Sequence, residues 1–87
     1  MDRKTKATFE AVTRELEAAN RKFPSFNSAH EGYGVILEEM DELWDVIKTK
    51  PKKLGGDAAR LQLMYGEAKQ VAAMAIKLMV NICLREK

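Results

Sequence analysis

Glu39, Glu42 and Glu67 are the residues of this chain whose type and spacing could do chemistry. The segment from Ile36 to Asp45 carries five carboxylates inside an apolar helical pattern. At about 100° per residue, Ile36, Met40, Leu43 and Ile47 form one stripe, widened by Leu37 and Trp44. Glu38, Asp41 and Asp45 fall opposite and are expected to face water. Glu39 and Glu42 instead share a line with Val35 and Val46, so two acids sit on a stripe that the pattern makes half buried. A carboxylate in such a place needs a partner, or its ionisation becomes costly. A divalent cation shared by two acids one turn apart is such a partner. Glu67 repeats the situation on a later helix, on a line with Val71, Met74 and Leu78. If the two helices pack antiparallel, Glu67 faces the earlier pair. Three convergent carboxylates suit Mg²⁺, a hard ion that takes oxygen ligands and keeps waters or substrate phosphates as the others. Gln70, one turn after Glu67, could add a carbonyl oxygen, and Lys77, further along the polar side, could neutralise phosphate. The same pattern also fits a helix with a solvated acidic flank, which is what a run of charge usually is.

The elements that must position these groups are helical. Phe9, Val12, Leu16, Ala19 and Phe23 make a narrow apolar seam on a first helix over residues 5–22, which Pro24 ends. Ser28 and Glu31 form an S-x-x-E capping box that opens a second helix running to about Lys48. Gly32 and Gly34 in its first turns either admit a close neighbour or mark a frayed start. His30, the single histidine, reads as a surface or capping residue. Pro51 forbids continuation, and residues 49–56 form a basic, glycine-rich loop that lacks the pattern of a phosphate-binding loop. Asp57 is the expected N-cap of a third helix over residues 58–84, about 40 Å long at ~1.5 Å per residue. Leu61, Met64, Ala68, Val71, Ala75, Leu78, Met79 and Ile82 give it one wide apolar side, and Ala72, Ala73, Val80, Cys83 and Leu84 extend that side. Such a helix wants more cover than a short chain supplies. Tyr33, Phe26, Trp44 and Tyr65 could stack on a planar ring but are assigned to the core.

The composition sets outer bounds. Eighty-seven residues make one domain at most, and 46% hydrophobic with 32% charged residues is globular rather than disordered. A net charge of +2 is too balanced to imply nucleic-acid binding by field alone. The lone Cys83 allows no internal disulfide, and the charged N-terminus has no apolar signal core. The apolar run from Val71 is interrupted by Lys77 and Asn81, which argues against a membrane span. A cytoplasmic location is expected. The architecture that follows is all-α, three helices per chain, with the second and third as an antiparallel pair that forms a four-helix bundle core in an oligomer.

Glu38-Glu39-x-x-Glu42 on one helix, followed by Glu67 on the next long helix, resembles the all-α nucleotide pyrophosphohydrolases of the MazG type. The text around these residues strengthens the likeness. Phe26-Asn27-Ser28-Ala29-His30-Glu31-Gly32-Tyr33 leads into the first motif, and Glu67-Ala68-Lys69-Gln70-Val71-Ala72-Ala73-Met74-Ala75 contains the second. Both look like small single-domain bacterial and phage members, over roughly residues 23–84. The resemblance implies one MazG-like domain over residues 1–87, a dimer or dimer of dimers, Mg²⁺ as cofactor and a nucleoside triphosphate as substrate, cleaved to a monophosphate and pyrophosphate. Carried over, Glu39 and Glu42 are the first ligand pair, Glu67 opens the second, and Glu38 is a supporting acid or further ligand. The family has aspartate three residues after that glutamate, where this chain has Gln70. One negative charge is therefore missing from the expected metal set, and three readings compete: the hydrolase, a non-catalytic member of the fold that binds a nucleotide or a protein, and a purely structural oligomer.

Overall fold

The computed structural model describes residues 1–85. Three α-helices, α1 (Arg3–Lys22), α2 (Ala29–Lys48) and α3 (Asp57–Leu78), are joined by a short turn and by a loop holding a 3₁₀ helix (Pro51–Leu54). No strand occurs among the described residues. Both α1 and α2 lie against α3, which is thus the central element. Helices α2 and α3 run antiparallel: Gly32 meets Leu78 at one end, and Arg60 donates to the Ile47 carbonyl at the other, across 2.8 Å.

Local chemistry sets the helix ends. Asp2 caps α1 by accepting from the Thr5 backbone N–H at 2.7 Å. Ser28 caps α2, its hydroxyl accepting from the Glu31 N–H at 3.1 Å. The other half of the capping box is displaced by one residue. Glu31 turns back to Asn27 and accepts from both its backbone N–H and its side-chain amide, at 3.3 and 3.2 Å. Asp57 is not the N-cap of α3. That position belongs to Gly56, whose φ of 109° suits glycine, and Asp57 is the first helical residue, where its charge still favours the helix start. Regular α-helix stops at Leu78, short of the expected end at residue 84. One π-helical turn (Met79–Cys83) follows, closed by a bond from the Leu84 N–H to the Met79 carbonyl at 3.0 Å.

The core is small. Val12 and Ala19 from α1, Phe26 from the first turn, and Ala73 and Met74 from α3 are buried, with Leu16, Val35, Ile36, Ala72, Ile76, Leu78 and Ile82 packed around them. Gly32 is buried as well, and a side chain there would strike Leu78 and the Phe26 ring, whereas Gly34 has open space. Close approach, not fraying, therefore explains Gly32. Several residues assigned to the core lie outside it. Trp44 is 57% exposed, and Tyr33, Tyr65, Leu37, Met40 and Leu61 are exposed too; of the four aromatic candidates, Phe26 alone is buried. Helix α2 turns Val35, Glu39 and Val46 of the expected half-buried line inward instead, while Glu42, on the same line, is exposed.

Candidate functional site

Antiparallel packing of α2 on α3 brings Glu39, Glu42 and Glu67 together. One carboxylate oxygen from each lies within 4.8 Å of the other two. Glu39 and Glu67 are half-buried and Glu42 is exposed. One oxygen of Glu39 and one of Glu67 are fully shielded from water with no hydrogen-bond partner. A shielded carboxylate oxygen without a donor is costly, because its hydration has been removed and not replaced. The electrostatics follow. Burial pushes the Glu39 carboxyl up from the ordinary 4.5 to about 7; the charge of Glu42 and a side-chain hydrogen bond with it, then the charges of Glu67 and Glu15, add to the rise. Burial also raises Glu67, with Glu42 the second cause. Apolar packing therefore holds the two helices together against the mutual repulsion of these acids when ionised.

A cleft of about 510 Å³ opens beside this cluster, between α1 and α2 and over α3. Glu39 is the acid the cluster and the cleft share, and Glu38 and Gln70 stand with it on the wall. At the other end Lys77 and Phe26 line the cleft. Helix α1 supplies the facing wall with Glu15, Ala18, Ala19 and Lys22. Glu15 pairs with Lys69 of α3 at 3.7 Å, which ties that wall to the floor.

Lys77 does not lie on a polar side of α3. Only 2% of it is exposed, and its ammonium stands 5.0 Å from the centre of the Phe26 ring. The long apolar stem fills core volume while the head reaches an aromatic face, so a lysine can be buried without a carboxylate beside it. Neither ion pair found among the described residues includes Lys77.

Asn81 gave little sign of a role beyond interrupting an apolar run. Its Oδ1 accepts from the Phe26 N–H at 2.8 Å, and Arg85 donates to its backbone carbonyl at 3.1 Å. The π turn containing Asn81 is thereby fastened to the turn that carries Phe26. His30 and Cys83 are exposed and stand apart from the cleft lining. Among the described residues no helix is long and apolar enough to cross a membrane.

The carboxylate triad fits a hard divalent cation by its donor set: oxygen ligands alone, on two helices, with Glu39 and Glu67 each carrying a shielded, unpartnered oxygen. Comparison of the chain with protein-family models, with curated proteins and with solved structures found no match.

Proposed function

We propose that this chain is a Mg²⁺-dependent nucleoside triphosphate pyrophosphohydrolase of the MazG-like kind, releasing a nucleoside monophosphate and pyrophosphate. The observation that carries this reading is the convergence of Glu39, Glu42 and Glu67, with two carboxylate oxygens shielded and unpartnered. These three acids would hold the ion, and Gln70, on the cleft wall with Glu39, is the neutral oxygen available where the resemblance calls for aspartate. Mg²⁺ held there would neutralise phosphoryl charge and orient water. The chain's own groups do the rest. Lys77 offers a buried cation in the same cleft, the natural counter-charge for a phosphate. Glu38, exposed on the cleft wall next to Glu39, is the group we assign to take a proton from the attacking water. The water oxygen adds to the α-phosphorus, the bond to the bridging oxygen breaks, and pyrophosphate departs.

Gln70 favours a second reading, a binder of nucleotides that does not turn them over, because the amide lacks the negative charge that would help hold the catalytic ion. One assay separates the two. Pyrophosphate release is measured from canonical and damaged nucleoside triphosphates, with and without Mg²⁺, for wild type, Glu39→Gln and Gln70→Asp. The hydrolase reading expects magnesium-dependent release that Glu39→Gln abolishes. Release by Gln70→Asp alone would establish the binder and name its missing charge.

The oligomeric bundle belongs to the same proposal. Tyr33, Leu37, Met40, Trp44 and Ile47 recur at alternating spacings of four and three along α2, and all are exposed. By helical phase they lie on the side of α2 away from Glu31 and Glu38, hence away from the cleft. Leu61, Tyr65, Ala68 and Met79 share one helical phase on α3 and are exposed too. Two such seams on adjacent antiparallel helices suit the matching pair of a second copy. Light scattering of wild type and Trp44→Glu decides it: a dimer or larger species that the variant reduces to a monomer is expected, and a monomeric wild type would refute it.

A further inference from the structure

The proposed reaction uses the charged residues of the cleft and leaves Phe23 and Pro24 in its lining without a role. Phe23 directly follows the last residue of α1 and lines the cleft while remaining 62% exposed. Pro24 beside it also lines the cleft, and its ring restricts the backbone at that point. Phe26, three residues on, is buried, with its ring taken up by the Lys77 ammonium at 5.0 Å. Of the two aromatic rings at this end, one holds a cation and the other presents open surface. We propose that Phe23, with Pro24 beside it, is the platform on which the heterocyclic base of the substrate stacks, the phosphates lying in the cleft between Lys77 and Glu39. The proposal rests on the nucleotide reading above and names a base-binding residue that reading does not need.

Three features carry it. The cleft volume of about 510 Å³ lies in the range of small-ligand sites. The buried cation and the open aromatic ring border one end of the cleft, so a phosphate and a flat ring bound there lie near both. The turn that carries Phe23 is fastened through Phe26 to Asn81, which fixes the platform relative to α3. Every base has a π face, so stacking of this kind requires a base and tolerates its identity. Loss of the ring is expected to weaken nucleotide binding by roughly 5- to 100-fold.

Calorimetry tests this on the full chain in Mg²⁺. Binding of a non-hydrolysable α,β-imido deoxyadenosine triphosphate is compared with binding of inorganic tripolyphosphate, for wild type, Phe23→Ala and Phe23→Leu. The leucine retains apolar bulk and lacks the flat face, which keeps the test sound if alanine loosens the turn. Wild type is expected to prefer the nucleotide, and both variants to lose most of that preference with tripolyphosphate affinity unchanged. A wild-type preference that survives both substitutions would place the base elsewhere and overturn the proposal while leaving the phosphate site standing. Equal wild-type affinity for the two ligands would also overturn it. If wild type binds neither, the nucleotide reading and the platform fall together.

Discussion

The backbone N–H of Phe26 donates to Asn81 Oδ1 across 2.8 Å, joining the α1–α2 turn to the π turn at the end of α3 over fifty-five residues of sequence. This bond is part-buried, so loss of the acceptor leaves an N–H that water reaches poorly. Asn81→Leu is expected to destabilise the fold by about 1–3 kcal/mol, and Asn81→Asp, which keeps an acceptor, by much less. Urea unfolding midpoints measure both. An unchanged midpoint in Asn81→Leu would show that the turn is held by packing alone.

The glycines of α2 make an opposed pair. A Cβ on Gly32 would lie 2.5 Å from a Leu78 methyl and 3.0 Å from the Phe26 ring, whereas nothing lies within 4 Å of one on Gly34. Gly34→Ala is expected to stabilise by about 0.5–1 kcal/mol through reduced backbone freedom. Gly32→Ala gains the same and loses about 1–3 kcal/mol to overpacking, because Phe26 is buried and cannot yield as the Leu78 methyl can. Thermal unfolding of the two variants should therefore move in opposite directions.

The acid cluster gives stability a definite pH dependence. Burial, then the charge of Glu42, raises the folded-state pKa of Glu39 from 4.5 to about 7. The folded chain thus binds this proton more tightly than the unfolded chain does. Its contribution to stability is full below about pH 4.5 and is lost as pH rises through about 7. Glu67 acts in the same sense. Without divalent ions, the urea midpoint is expected to fall between pH 5 and pH 8, and Glu39→Gln to remove much of that fall. An equal fall in the variant would assign the pH dependence to other groups.

What the sequence showed, and what it concealed, can be traced to single residues. Glu39 and Glu67 were legible because an acid on an apolar line is an anomaly that only tertiary partners resolve, and helical phase is enough to find it; Glu42, read on the same half-buried line, is exposed. Lys77 and Asn81 were visible as interruptions of an apolar run, but phase alone assigned Lys77 to a polar side. Its burial depends on the Phe26 ring, which comes from a turn fifty-one residues earlier, and periodicity carries no such information. Trp44 and Tyr33 were assigned inward because hydrophobicity does not distinguish a core within the chain from a seam on its surface. The N-cap moved from Asp57 to Gly56 because a positive φ, available to glycine, set the entry into α3.

The central claim is that Glu39, Glu42 and Glu67 form one cation site. Titration of Mg²⁺, and of Mn²⁺ as its substitute, into the wild-type chain at pH 7 measures it directly by calorimetry, repeated in buffers of different ionisation enthalpy. Saturable binding with proton release is expected, since the ion displaces the proton that Glu39 holds near that pH. Glu39→Gln and Glu67→Gln should each weaken it by roughly tenfold or more, and Gln70→Asp should tighten it, because affinity follows ligand charge. Binding that is absent from wild type, or unchanged in both glutamine variants, would contradict the account.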